Sequence, residues 1–263
     1  MEIAALRAGD EIDSDSWFAG DQQLADSPDR LGDAYVEDGR PLSWGDAVDV
    51  FRADHGAEDR FGVRWASGLW GRWLDRDRAL ADRTETTLML SLTASPWLTE
   101  ECLLPPAHHL DAVLKGRDAV LSRLSDCLDA EHRVGWALGA NQNGYAHCHV
   151  GVWCSDRTEA IAVEPALNAH VDAVPMANQD EHGAGAVTAY HEEDVLADRT
   201  ATDDCAPATR LGAYLADNVP GSGSQPGAGM GIDNELGAGD GHRVQLATLL
   251  DATNTKAYRR PDR

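Results

Sequence analysis

Lysine is almost missing from this chain: only Lys115 and Lys256 occur, and every other base is arginine. Phenylalanine is nearly as scarce, at 3 residues. The 5 cysteines (Cys102, Cys127, Cys148, Cys154 and Cys205) contain no CxxC pair and form an odd set. In a chain without a visible signal peptide that argues against a disulfide framework, and they read as small core hydrophobes. No apolar run reaches the roughly 20 residues of a membrane span. The opening segment, MEIAALRAGDEIDSD, is acidic and lacks the basic start and apolar stretch of a secretory signal. These absences lead us to expect a soluble, cytoplasmic protein with no membrane partner.

What is present in excess is acid. Asp and Glu number 45 against 22 Lys and Arg, a formal net charge of −23. Self-repulsion at that charge opposes compaction in dilute salt. In molar salt the Debye length shrinks to about 3 Å and most of the repulsion is screened. Abundant Asp with scarce Lys and Phe therefore suggests adaptation to a salt-saturated cytoplasm, the alternative being an ordinary acidic, solvated surface. With 263 residues, 43% of them hydrophobic, a sizeable core can still form.

Three divisions are expected: an acidic N-terminal region with a Trp/Arg-rich helix over 1–83, a central domain over 84–218, and a Gly-rich loop with a closing helix over 219–263. Within the first, weak helix covers Trp44–His55 and stronger helix Arg60–Asp82. Thr86–Ser95 (TTLMLSLTAS) alternates as a half-buried strand does. His109–Asp129 carries one apolar stripe, Leu110, Val113, Val120 and Leu124 among others, along a helix. Val134–Ala140 and Tyr145–Trp153 read as strands joined through Asn141–Gly144 (NQNG), residues that suit a hairpin turn. Ala160–Val174, Pro207–Asn218 and Gln245–Thr253 read as helices, and Val219–Gly241 as a Gly/Ser-rich loop. This order indicates an α+β fold: an antiparallel sheet with helices packed on one face, plus a helical N-terminal extension.

The most informative strand is YAHCHVGVW. Side chains alternate along a strand, so Tyr145, His147, His149, Gly151 and Trp153 share one face, and Ala146, Cys148, Val150 and Val152 the other. Two imidazoles two residues apart lie about 7 Å apart at Cα, close enough to converge on one divalent ion. Two ordinary histidines on an exposed sheet face are the other reading.

The context of the pair resembles the HUH endonucleases, specifically rolling-circle replication initiators of haloarchaeal plasmids and viruses. Leu88–Ser95 (LMLSLTAS) is similar to that family's first motif. Gly144–Trp153 (GYAHCHVGVW) resembles its histidine motif, and Leu211–Asn218 (LGAYLADN) its tyrosine motif. Gln245–Arg260 (QLATLLDATNTKAYRR) resembles its closing helix. The resemblance implies an HUH/RRM-like sheet and a metal-dependent DNA endonuclease and strand transferase. His147 and His149 would hold Mn2+ or Mg2+, and a tyrosine would form a 5′-phosphotyrosyl intermediate, releasing a 3′-hydroxyl that primes synthesis. That nucleophile is Tyr214, with Tyr190 in AVTAYHEE as runner-up. The implied partners are single-stranded or origin DNA and the host replication machinery.

Three positions depart from the family pattern. Asp217 stands where a lysine is frequent, and Asn218 where a second tyrosine is common. Gly139 occupies the place of a glutamate ligand, so Asn141 and Asn143 become candidates for the third metal ligand. Arg64, Arg72 and Arg76, near Trp65 and Trp73, are candidates for contacting DNA. The same residues fit two further functions: a non-catalytic origin-binding protein derived from this fold, or an HUH relaxase or transposase.

Overall fold

The computed structural model describes residues 33–56, 59–81, 83–99, 102–141, 144–179, 182–183, 186–191, 211–220 and 241–261. The expectations for residues 1–32, Asn143, Cys205, the first turn of the Pro207–Asn218 helix and most of the Val219–Gly241 loop lie outside these residues. In chain order come a small hairpin, β1 (Val36–Glu37) and β2 (Arg40–Pro41), helices α1 (Trp44–Asp54) and α2 (Val63–Ala81), and β3 (Thr86–Leu92). A second small pair, β4 (Trp97–Thr99) and β5 (Cys102–Leu103), precedes α3 (Pro106–Cys127), β6 (His132–Ala140) and β7 (Ala146–Cys154). The short 3-10 turn Ala160–Val163 leads into α4 (Glu164–Ala173). Then follow β8 (Val187–His191), α5 (Leu211–Asn218), α6 (Gly241–Ala252) and β9 (Tyr258–Arg259). None of the described helices is long and apolar enough to cross a membrane.

The main sheet has the strand order β8-β3-β7-β6-β9, and every pairing in it is antiparallel. The fold is α+β, as the element order implies. β6 and β7 form the expected hairpin, closed by hydrogen bonds from the Asn141 N–H to the Tyr145 carbonyl (2.8 Å) and from the Gly144 N–H to the Asn141 carbonyl (2.8 Å). Gly144 has φ +78°, a conformation that costs glycine little and explains its place there.

Helix α3 starts at a proline, where the missing N–H would have had no partner. Its stripe, Leu110, Val113, Val120 and Leu124, is buried together with Cys148, Val150 and Val152 of β7. Fully burying one such aliphatic side chain is worth about 1.5–3 kcal/mol. On the same side the Arg117 guanidinium lies 4.3 Å over the Trp136 ring. Helix α4 approaches α3 at Gly116, where any side chain would collide with the His170 ring.

The histidine face, expected to lie open, is covered in part. Gly135 and Gly151 are register partners on β6 and β7, and together they form a trough. A Cβ at Gly135 would come within 2.9 Å of Trp73, and one at Gly151 within 2.8 Å of Leu215. Into that trough α2 inserts Trp73, stacked on Trp153 at 6.4 Å, and α5 lays Leu211 and Leu215. Ala66, Leu69, Trp73, Asp77 and Leu80 make a buried face along α2, so this helix is part of the core. At the other edge β9 pairs with β6, and the Tyr35 hydroxyl donates to Asp251 of α6 at 2.9 Å. The described segments before β3 and after β8 thus pack into one unit with the sheet.

Candidate active site

His147 and His149 project from β7 to the same side, their ring centroids 4.6 Å apart. The register dictates their neighbours, because directly opposed residues of an antiparallel pair share a face. Ser91 on β3 and Ala137 on β6 flank His149, and Gly139 lies opposite His147. Nδ1 of His149 is 3.1 Å from the Ser91 hydroxyl. Nδ1–H of His147 donates to Oδ1 of Asn141 at 2.8 Å. Both imidazoles are therefore oriented through Nδ1, which leaves Nε2 for a ligand, the usual arrangement behind a metal-binding histidine. Nε2 of His147 is buried with no hydrogen-bond partner among the described residues.

Burial sets the charge state. It pushes His147 down to about 4 and His149 down to about 3, the latter helped by the neighbouring His147. Hydrogen bonding by the Asn218 carboxamide opposes part of both shifts, although it does not engage His147 Nε2 with full hydrogen-bond geometry. Helix α6 brings His242 and Arg243 close enough to disfavour protonation of His147 further. Both histidines are neutral at pH 7, the form that binds metal. The orphaned Nε2 and the space left by Gly139 fit a cation. Among the described residues, no group of three His, Cys, Asp or Glu side chains completes a metal centre.

Of the tyrosines, Tyr214 meets this pair. Its ring centroid is 5.2 Å from that of His149, edge to face, and the side chain is 43% exposed. Its helix is pinned by the buried Asp77 of α2, which accepts from the Gly212 N–H (2.7 Å) and the Trp153 indole N–H (3.1 Å). Tyr190 is on the edge strand β8 opposite Thr87, four positions along β3 from Ser91. At about 3.4 Å per residue that is roughly 14 Å away along the strand. Tyr145 departs from the expected alternation. It precedes β7, packs against His109 of α3 at 4.9 Å, and donates its hydroxyl to the Leu104 carbonyl. Asn141, a candidate third ligand, instead gives its oxygen to Nδ1 of His147, away from Nε2. Asn143 lies outside the described residues.

Arg72 and Arg76 line a surface groove of about 500 Å3 together with Arg83 and Arg260. This groove is separate from the histidines: Arg260 follows β9, whose Arg259 pairs with Trp136, whereas the site is at Gly139. Arg64 is exposed and does not line it. Trp73 is fully buried, and half-buried Trp65 packs on Phe61 and Tyr258, so both belong to the core packing of α2. Sequence reasoning missed Ser91, Asn218, His242 and Arg243 as parts of the site. Ser91 and Asn218 lie inside the quoted motifs, and His242 and Arg243 lie just before the last one, but only the register and the helix placement reveal what each one faces.

A family model described as "Putative rep protein (DUF1424)" matches residues 40–233, a span that includes the histidine pair and Tyr214. The chain is also similar to an "Uncharacterized 36 kDa protein" of Halobacterium salinarum. The two are 28% identical over 214 residues, covering 71% of this chain and 67% of that protein. No solved structure matches. Because the family model spans well over half of the chain, this protein belongs to the family of Rep proteins that it describes.

Proposed function

We propose that this Rep-family chain is a replication initiator of the HUH type, which nicks single-stranded origin DNA with Tyr214. The observation that carries the reading is the meeting of three separate segments: Ser91 from the first, His147 and His149 from the second, and Tyr214 from the third. Tyr214 is exposed enough to reach a strand lying over the site, and it sits beside the imidazole that orients toward the same space.

In the reaction, the phenolic oxygen of Tyr214 attacks the phosphorus of the scissile phosphodiester. A tyrosyl O–P bond forms, the bond from phosphorus to the 3′-oxygen breaks, the phenolic proton is lost, and the departing 3′-oxygen takes up a proton. Mn2+ or Mg2+ held by Nε2 of His147 and His149 would polarise the scissile phosphate and offset its developing charge. Ser91 and Asn141 keep the two rings oriented, and Asp77 holds the tyrosine helix against the sheet. The arginine groove supplies phosphate contacts away from the reacting atoms.

Incubation with single-stranded DNA of its replicon and Mn2+ tests this reading. A denaturant-resistant protein–DNA adduct is expected, lost on chelation and absent from Tyr214→Phe. DNA binding without any adduct would favour an origin-binding protein that does not cut.

A further inference from the structure

We propose that Asn218 is the third protein ligand of the metal held by His147 and His149, supplied by α5 in place of a side chain that β6 lacks at Gly139. This rests on the metal-dependent reading above. The first observation is steric. A Cβ built at Gly139 would stand 2.5 Å from Nε2 of His147 and 3.1 Å from Oδ1 of Asn218, so both atoms border the same small space. The second is orientation. Nδ2 of Asn218 donates to the Tyr214 carbonyl at 2.8 Å, which turns the carboxamide oxygen toward the histidines.

The third observation is chemical. Nδ1–H of His147 donates to Asn141, so the neutral ring presents a lone pair at Nε2. The Asn218 oxygen also presents only lone pairs. Two acceptors that meet beside Gly139 cannot bond to each other while the ring is neutral, and Nε2 is left without a partner. A cation between them satisfies both. Because Asn218 lies one helical turn after Tyr214, the same ion would tie the nucleophile's helix to the sheet.

Mn2+ titration of the full chain in molar KCl, read from the EPR signal of unbound Mn2+, tests this directly. Circular dichroism in the same buffer checks the fold of each variant. Asn218→Ala should weaken binding tenfold or more, and Asn218→Asp, which offers a charged oxygen of similar reach, should bind at least as tightly as the native protein. The Asp variant keeps the test readable should the Ala variant not fold. Unchanged affinity in Asn218→Ala, with binding lost in His147→Ala/His149→Ala, overturns the role of Asn218 alone. Loss of affinity in His242→Ala, with none in Asn218→Ala, overturns it in favour of His242. Absence of Mn2+ binding by the native chain, or native affinity in the double histidine variant, overturns the metal reading and this inference with it.

Discussion

Neutral imidazoles recur through the interior: burial holds His109 and His170 at about 4, as it does His147, and His149 at about 3. In the unfolded chain each would titrate near 6.5. Below that pH the unfolded chain binds protons that the folded protein refuses, so stability is full above about 7 and falls as pH drops toward 4. Each histidine adds a slope of up to about 1.4 kcal/mol per pH unit. Urea midpoints in metal-free molar KCl should therefore decline between pH 6.5 and 5, a window in which ordinary carboxylates remain ionised. A flat midpoint through that window would contradict the burial of these rings. The site histidines also carry a structural load. Because α5 covers them, His149→Ala should cost about 2 kcal/mol, at the low end for a large core truncation, in addition to abolishing metal-dependent nicking. Chemical denaturation beside a nicking assay would separate the two effects.

The tyrosine helix is anchored by a buried carboxylate as well as by Leu211 and Leu215. Asp77 receives one hydrogen bond from the start of α5 and one from Trp153 on β7, the strand that carries the histidine pair. Hydrogen bonds to a charged group are worth about 1.5–3 kcal/mol each. Asp77→Ala should lower stability by several kcal/mol and slow adduct formation while leaving Mn2+ affinity within a few-fold of native. Unaltered adduct kinetics in a folded Asp77→Ala protein would show that α5 is placed by other contacts. Much of this architecture could be read in advance. The alternation of AHCHVGVW sets the histidines apart from Cys148, Val150 and Val152, and the stripe of α3 identifies what covers the latter. Strand β8 escaped because VTAYH is short and lies on an edge, and β9 because it has only two residues. The cover over the histidine face escaped for a different reason. It depends on Gly135 and Gly151 lying opposite each other, a relation between strands that no local pattern displays. Asn218 looked like a departure from a motif, and only its approach to Gly139 gives it a role.

For the whole molecule, the net charge of −23 bears on stability and, under the proposed function, on how DNA would be held. Removing salt restores repulsion over the surface, so circular dichroism should report loss of structure at about 50 mM KCl and its recovery at molar concentration. A cooperative fold retained in the dilute buffer would argue against halophilic adaptation. High salt also weakens phosphate contacts, since counterion release ceases to be favourable. Under the proposed function, the groove of Arg72, Arg76, Arg83 and Arg260 would then act as a focused contact rather than a general attraction. The central claim, that this fold brings one tyrosine to the histidine pair for strand transfer, meets its most direct test in peptide mapping of the trapped adduct. Proteolysis and mass spectrometry should find the nucleotide on the peptide containing Tyr214. A nucleotide on the peptide containing Tyr190, or on none, would contradict it.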